Sequence, residues 1–252
     1  MYFNIVASGS KGNATLVVAK NTLILIDFGI TLTRLNEGLD EIHKKLKDID
    51  AVIFTHDHSD HINGLKAISP KKMYALKGTL PSSLTNTISL YEPLVIKDIT
   101  ITPFKTSHDA TNPCGYLLSS GEETLVYMTD TGMVMEEIYP VVSNPNYLII
   151  ESNHDLEMLM KSSRPLILKQ RIASEKGHLC NEDSAFASLE IVGNKTREVY
   201  LAHLSEECNT PEKAIEAYQK VFAYKGKSLS KLKLCCAKQW ESTLGGNLCE
   251  LG

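Results

Sequence analysis

Residues 55–61, with the sequence THDHSDH, constrain this chain more than any other segment, because they hold three imidazoles and two carboxylates. They follow the apolar run 51–54, Ala-Val-Ile-Phe, which is typical of a buried strand. A strand end fixes side chains for chemistry, and imidazole together with carboxylate suits a divalent ion of the zinc or manganese type. Packing or surface exposure would explain one histidine there, but not His56, His58 and His61 together with Asp60. The segment therefore predicts a metal site.

The bulk composition is that of a globular protein. The chain has 252 residues and 43% hydrophobic content, enough for one large domain or two small ones. It has no apolar run of about 18 residues and no signal-peptide pattern at its start, so we expect a cytoplasmic protein without membrane association.

The six cysteines form no CxxC pair, which favours free thiols. A net charge of -4 gives no overall attraction to nucleic acid, and nothing in the sequence indicates the oligomeric state.

Short strand candidates occur both in bunches and in alternation with helices, which predicts a mixed sheet arrangement in an α/β (α+β) fold. The glycine-rich residues 8–13 predict a hairpin turn between the first two strands. Helices are predicted over residues 31–38, 156–160, 182–192 (after a cap at Asn181) and 211–223. With no low-complexity linker and no internal repeat, residues 1–252 are expected to form a single domain.

Further metal ligands are expected at other strand ends, because a divalent ion needs about four of them. His108 comes after the strand-like residues 99–104, and Asp130 comes after residues 125–128. His203 directly follows the strand-like residues 199–202. Each is a polar residue that comes just after an apolar strand, as His56 is. This shared placement predicts that all three complete the metal site.

These candidate ligands, taken in chain order, resemble those of the metallo-β-lactamase superfamily. The signature of that superfamily is HxHxDH followed by a single His, a single Asp and a final His. The resemblance covers nearly the whole chain and implies a four-layer αβ/βα sandwich with two divalent metal ions. Zinc and manganese both suit the donors, and iron is possible. The ligands that the resemblance implies are His56, His58 and His108 for the first metal, Asp60, His61 and His203 for the second, and Asp130 as the bridge.

Within that superfamily, four further segments resemble the bacterial YycJ (WalJ) family of exonucleases, which is related to tRNase Z. They are residues 8–13 (SGSKGN), 151–154 (ESNH), 177–181 (GHLCN) and 201–205 (LAHLS). The resemblance implies a cytoplasmic DNA exonuclease that acts in the 5′ to 3′ direction through a metal-bridging hydroxide, with catalytic roles for Asp60, Glu151 and His178. Cys180 stands where that family commonly has serine. This departure puts any contact made by the serine hydroxyl in doubt.

Contacts to the substrate are expected from a local basic segment, since residues 161–176 hold five cations and one carboxylate. The candidate substrate-binding residues are Lys11, Lys169, Arg171 and Asn209. Two other functions stay open. One is a phosphodiesterase for a small cyclic or dinucleotide substrate, and the other is a non-catalytic regulatory binding module. The complete set of candidate ligands argues against the second.

Overall fold

The structure is a computed structural model that describes the backbone of residues 1–251 and the side chains of residues 1–249. The chain divides into two units. The first comprises residues 1–105, residues 110–123 and the segment from Lys238 onward, and the second comprises residues 106–109 and 124–237. The prediction that the whole chain is a single domain stays a prediction.

The described residues form fourteen strands and seven α-helices, together with short 3-10 turns. The strands are β1 (Tyr2–Ala7), β2 (Ala14–Ala19), β3 (Thr22–Ile26), β4 (Ala51–Phe54), β5 (Met73–Leu76), β6 (Asn86–Ile88), β7 (Leu94–Ile96), β8 (Ile99–Lys105), β9 (Cys114–Ser120), β10 (Glu123–Met128), β11 (Tyr147–Glu151), β12 (Glu198–Ala202), β13 (Lys233–Cys236) and β14 (Thr243–Gly246). The helices are α1 (Leu32–Asp40), α2 (Ser59–Ile62), α3 (Tyr139–Val142), α4 (Leu156–Lys161), α5 (Leu166–Ile172), α6 (Asn181–Ile191) and α7 (Pro211–Tyr224). Among the described residues, no helix has the length and apolar character needed to span a membrane.

The first unit contains a mixed seven-stranded sheet in the order β14-β1-β2-β3-β4-β5-β6. Strands β1 and β2 are antiparallel across the glycine-rich turn, which confirms the predicted hairpin. Strands β3 and β4 are parallel, with Ile26 opposite Ile53. The residues that follow them, Asp27 and Thr55, therefore meet at one edge of the sheet. A buried apolar cluster that includes Leu25, Leu39 and Phe54 packs α1 against this sheet.

In the second unit, strands β10, β11, β12 and β13 are parallel neighbours. Met128 lies opposite Ile150, and Glu151 lies opposite Ala202. The carboxyl ends of parallel strands meet at one edge, so this register brings the residues after β10 and β12 next to the last residue of β11. Glu151 is that last residue, and His203 directly follows β12. The register therefore assembles polar side chains from three strands.

Helix α6 fixes the end of β11 through buried hydroxyl groups. The Tyr218 hydroxyl of α7 lies 2.7 Å from Ser184 Oγ and 2.8 Å from Ser188 Oγ, both on α6. Ser184 Oγ also donates to the backbone carbonyl of Glu151. Each of these buried polar groups thus has a hydrogen-bond partner, as a stable interior requires. The backbone of Glu151 is tied to the helical layer through them.

The start of α6 differs from the prediction. The helix begins at Asn181, and the Sγ of Cys180 accepts the capping hydrogen bond from the Asp183 amide at 3.4 Å. Burial raises the pKa of the Cys180 thiol to about 12, so the sulfur stays protonated and caps the helix as a neutral group. Asn181 cannot serve as the cap because its side chain is engaged in the interior, where Ser152 Oγ donates to it at 2.7 Å.

Candidate metal centre

The imidazoles of His56 and His61 are anchored by Asp27, a fully buried carboxylate that follows β3. Asp27 Oδ2 lies 2.8 Å from His61 Nδ1 and accepts from the Thr55 hydroxyl at 2.9 Å. Thr55 Oγ1 lies 3.0 Å from His56 Nδ1. Since the Thr55 hydrogen goes to Asp27, its oxygen accepts from His56. Both imidazoles therefore carry the proton on Nδ1 and present Nε2 as the ligand nitrogen, the arrangement that metal-binding histidines commonly have.

The residues of the HxHxDH motif converge within the first unit. The ring centroid of His56 lies 4.6 Å from that of His58 and 4.0 Å from that of His61. His58 immediately precedes α2, and Asp60 and His61 lie on the first turn of that helix. Asp60 Oδ2 lies 3.6 Å from His61 Nε2. These contacts bring imidazole nitrogens and a carboxylate oxygen together, as the motif predicted.

The glycine-rich turn supports this group from the other side. The Asn13 backbone amide donates to the Asp60 carbonyl at 2.8 Å, and Asn13 Nδ2 lies 3.0 Å from His61 Nε2. Gly29 packs against the same carbonyl, so closely that an added Cβ would lie 1.5 Å from the Asp60 oxygen. Any larger residue at position 29 would displace the backbone of Asp60. The turn therefore holds the ligand group in place.

Three polar residues that come just after strands have left-handed backbones. The φ angles are 58° at Asp27, 54° at Asp130 and 55° at His203. This region is uncommon for residues other than glycine and costs on the order of 1–3 kcal/mol each, and such strain clusters at functional sites. The surrounding hydrogen bonds hold these conformations. At His203, Asn153 Nδ2 donates to the backbone carbonyl at 2.9 Å.

Glu151 is the centre of the polar group in the second unit. Its Oε1 lies 2.7 Å from His178 Nδ1 and 2.9 Å from His203 Nδ1. Its Oε2 accepts from the backbone amides of Thr131 at 2.9 Å and Leu179 at 3.2 Å. Four donors therefore converge on one fully buried carboxylate. Glu151 orients both imidazoles through Oε1, and its Oε2 is taken by the two backbone amides.

The pKa of Glu151 lies well below its ordinary value. Burial alone would raise it, but the charge of His178 and the hydrogen bonds from His178 and His203 outweigh burial. The carboxylate is therefore ionised at neutral pH. The ionised Glu151 is a strong acceptor for the hydrogen bond from His178 Nδ1 and fixes the orientation of that imidazole.

Asp130 lies among three imidazoles of the second unit. Its Oδ1 is 3.5 Å from His203 Nε2, 3.9 Å from His108 Nε2 and 3.8 Å from His178 Nδ1. The Nδ1 of His108 is held at 2.9 Å by the carbonyl of Gly177. Burial is the main cause that lowers the pKa of His108, which favours the neutral imidazole that a metal requires.

The second unit brings the two candidate ligands Asp130 and His203 close to Glu151 and His178. Asp130, Glu151, His178 and His203 each offer one ligand atom, and these atoms all lie within 4.8 Å of one another. Their solvent exposure differs, because the His178 side chain is 19% exposed whereas those of Asp130 and His203 are 3% and 2% exposed. The buried pair suits metal ligation. The partly exposed imidazole of His178 suits contact with a substrate.

The four predicted substrate contacts occupy different environments. Lys11 is exposed on the glycine-rich turn, Lys169 is half-buried on α5, and Arg171 is exposed on the same helix. Asn209 is 5% exposed, and its Nδ2 donates to the Ser152 carbonyl at 2.8 Å. The amide of Asn209 thus serves the interior of the second unit. The substrate-binding roles of all four residues stay predictions.

Asp27, Thr55, Asn13 and Asn153 support the candidate ligands, and none of them was predicted from the sequence to have this role. Asp27 did carry a usable signal, since it is a polar residue directly after an apolar strand, as His203 is. Thr55 carries the same signal, since it directly follows the apolar run 51–54, whereas Asn13 and Asn153 do not. Their roles depend on which loops meet in space.

The sequence matches the family model described as Beta-lactamase superfamily domain over residues 22–204, and the chain belongs to this family. The metallo-β-lactamase fold predicted from the sequence is thereby confirmed, as is the prediction that the chain is a metal-dependent hydrolase. A solved structure with the same fold is the metallo-β-lactamase fold protein YhfI from Bacillus subtilis. It has a TM-score of 0.71 and 19% identity, and the match covers 96% of this chain and 98% of that one.

Two relatives extend the likeness to a narrower group. Exodeoxyribonuclease WalJ of Streptococcus pneumoniae (strain D39) is 37% identical over 227 residues, which is 84% of each chain. Exodeoxyribonuclease YycJ of Bacillus anthracis is 33% identical over 239 residues, which is 90% of each chain. The resemblance to the YycJ (WalJ) family that four sequence segments indicated is confirmed.

Proposed function

We propose that this chain is a DNA exonuclease that hydrolyses phosphodiester bonds with two divalent metal ions and degrades DNA in the 5′ to 3′ direction. The observation that carries the proposal is the placement of Glu151, whose Oε1 contacts both His178 and His203. One carboxylate thus couples a candidate proton donor to a candidate metal ligand. The 37% identity to an exodeoxyribonuclease supports DNA as the substrate.

The donor atoms fit zinc or manganese, since they are imidazole nitrogens and carboxylate oxygens. Hydrogen bonds hold the Nδ1 atoms of His56, His61, His108 and His203, as is usual for histidine ligands. Two ions, when bound, would activate water and neutralise phosphate charge. The ligands we propose are His56, His58 and His108 for one ion, Asp60, His61 and His203 for the other, and Asp130 for both.

The protein's own groups would move the protons of the reaction. In this proposal Asp60 accepts a proton from the attacking water, and His178 donates one from Nε2 to the leaving oxygen of the nucleotide. Glu151 holds His178 through Nδ1, so that Nε2 is the nitrogen that faces the substrate.

Attraction of a polyanion would depend on few cations. Within the basic segment, Lys161 pairs with Glu157, Arg164 Nε lies 2.9 Å from Glu207, and Arg171 Nε lies 2.5 Å from Asp109. These pairs cancel much of the positive charge that the sequence places there. A weak positive electrostatic field favours a small cyclic or dinucleotide phosphodiester over long DNA. This observation supports a second candidate function, a phosphodiesterase for such a small substrate.

The deciding experiment offers both kinds of substrate to the purified protein with Mn²⁺ and with EDTA. Linear DNA labelled at its 5′ or 3′ end should release nucleotides progressively from the 5′ end, and only with metal. The matched control is His178→Ala, which should keep its metal and slow turnover by roughly 10²–10⁴-fold. Hydrolysis of cyclic nucleotides without any cleavage of DNA would replace the leading proposal with the second.

A further inference from the structure

A cavity of about 380 Å³ lies in the first unit beside the glycine-rich turn. Its lining includes Lys11, Gly29, Ile30, Gln239 and Trp240. The volume lies within the range of small-molecule sites, and the lining joins apolar and aromatic surface with a few polar groups, as such sites commonly do. Nothing in the proposed reaction uses this cavity.

The cavity is adjacent to a candidate metal ligand. Gly29, in its wall, packs directly against the backbone carbonyl of Asp60. The Gly29 amide donates to the Asn13 carbonyl at 2.8 Å, and the Asn13 amide donates to the Asp60 carbonyl at 2.8 Å. Gly29 thus lies between the cavity and the backbone of Asp60. A group bound there would lie next to a nucleotide whose phosphate is attacked at the metal centre.

The wall that carries Trp240 is fixed to the turn that carries Lys11. The Ser8 amide donates to the Lys238 carbonyl at 3.2 Å. Gln239 holds the turn at two points, since its Oε1 accepts from the Lys11 amide at 3.3 Å and its Nε2 donates to the Gly12 carbonyl at 3.2 Å. These bonds place the indole and the ammonium group around one cavity without help from a ligand.

The two side chains complement a nucleotide. The Trp240 residue is 63% exposed, so a large part of the indole is accessible for stacking. Among side chains of residues 1–249, no carboxylate forms an ion pair with the exposed Lys11 ammonium. Indole faces stack on any nucleobase, and an ammonium group binds a phosphate. Recognition of this kind does not depend on base identity, which suits an enzyme that degrades DNA of any sequence.

We propose that this cavity is a nucleotide subsite, in which a nucleobase stacks on Trp240 and the adjoining phosphate pairs with Lys11. The inference rests on the proposed phosphodiesterase activity and adds the residues that hold the nucleotide next to the scissile bond. Ile30, which also lines the cavity, supplies apolar contact to the base. The class of ligand is a nucleotide, either at the end of a DNA strand or free in solution.

Trp240 is the only tryptophan in the chain, so its fluorescence reports occupancy of the subsite directly. Titration of the metal-loaded wild-type protein with deoxyadenosine monophosphate should quench this fluorescence in a saturable manner. 2-Deoxyribose 5-phosphate, which lacks the base, should not quench it. Equal quenching by both compounds, or none by the nucleotide, would overturn the subsite.

Variants give a second readout by calorimetry and by the KM for DNA. Trp240→Leu should weaken binding of deoxyadenosine monophosphate and raise the KM by about 5- to 100-fold, whereas Trp240→Phe should stay within about 3-fold of wild type because it keeps a stacking ring. Tyr224→Leu, which changes an exposed aromatic on α7, is the matched control and should change neither value. Wild-type nucleotide affinity in Trp240→Leu would contradict the inference.

Failure of the subsite and failure of the proposed function give different results. If the wild-type protein hydrolyses DNA but its nucleotide binding does not depend on Trp240, only the subsite is wrong. If the protein hydrolyses no phosphodiester with any metal tested, the proposed function is wrong, whatever the fluorescence shows.

Discussion

His154 should make the stability of this protein depend on pH. It lies three residues beyond β11 and is 1% exposed. Its Nε2 has no hydrogen-bond partner among the described residues, and its Nδ1 lies 3.4 Å from Asn153 Oδ1. Burial is the main cause that lowers the pKa of His154 to about 4, against the opposing charge of Glu151. The folded protein therefore keeps this imidazole neutral.

The sign and size of the effect follow from proton linkage. In the unfolded chain His154 titrates near its ordinary pKa of about 6.5, so between pH 6.5 and 4 the unfolded state binds a proton that the folded state does not. The contribution of His154 to the free energy of unfolding is therefore present above pH 6.5 and is lost as the pH falls from 6.5 to 4. At about 1.4 kcal/mol per pKa unit, the loss is about 2 kcal/mol at pH 5 and about 3 kcal/mol at pH 4.

Urea unfolding of the metal-free protein between pH 7 and pH 4.5 measures this loss. The free energies of unfolding are compared for wild type, His154→Leu and His154→Gln. Relative to wild type, each variant should gain about 2 kcal/mol between pH 7 and pH 5, because neither has the titrating group. The two variants can differ from each other at pH 7 but should share this slope. A difference from wild type that is constant with pH would show that His154 does not titrate with a lowered pKa in the folded protein.

Two further substitutions test the supports of the site. Glu151→Gln removes the charged acceptor that holds His178 Nδ1, and kcat for DNA should fall by about 10- to 100-fold while the metal content, measured by atomic absorption, changes little. Complete loss of metal would instead make Glu151 a ligand. Gly29→Ala should displace Asp60 and lower both the metal content and the melting temperature. Gly121→Asn, in an open turn with a φ of 59°, is its control and should match wild type in both measurements.

The metal-binding motif could be predicted because its chemistry is local in the sequence. Residues 55–61 directly follow a strand that is recognisable from four apolar residues, and the structure confirms that strand as β4. His203 was found by the same signal, a polar residue directly after an apolar run. His108 and Asp130 come a few residues further on, and the same placement after an apolar strand identified them as candidates.

Other features depend on contacts that sequence patterns do not show. Strand β14, Thr243–Gly246, was not predicted because half of its residues are glycine, and it exists through pairing with β1. The cap of α6 was assigned to Asn181, a good capping residue. In the structure the Asn181 side chain instead forms hydrogen bonds with Ser152 and Asn209 in the interior. Asn209, which was predicted to bind substrate, is buried in the same network, and its substrate-binding role stays a prediction.

In the proposed reaction the chain cleaves phosphodiesters with two metal ions, and His178 is a proton donor outside the ligand set. Both points are tested by the metal content per chain, measured together with hydrolysis of end-labelled DNA in wild type, Asp130→Ala and His178→Ala. We predict two ions and full activity for wild type, loss of metal and of turnover for Asp130→Ala, and two ions with roughly 10²–10⁴-fold slower turnover for His178→Ala. Full metal content in Asp130→Ala, or loss of metal in His178→Ala, would contradict this assignment.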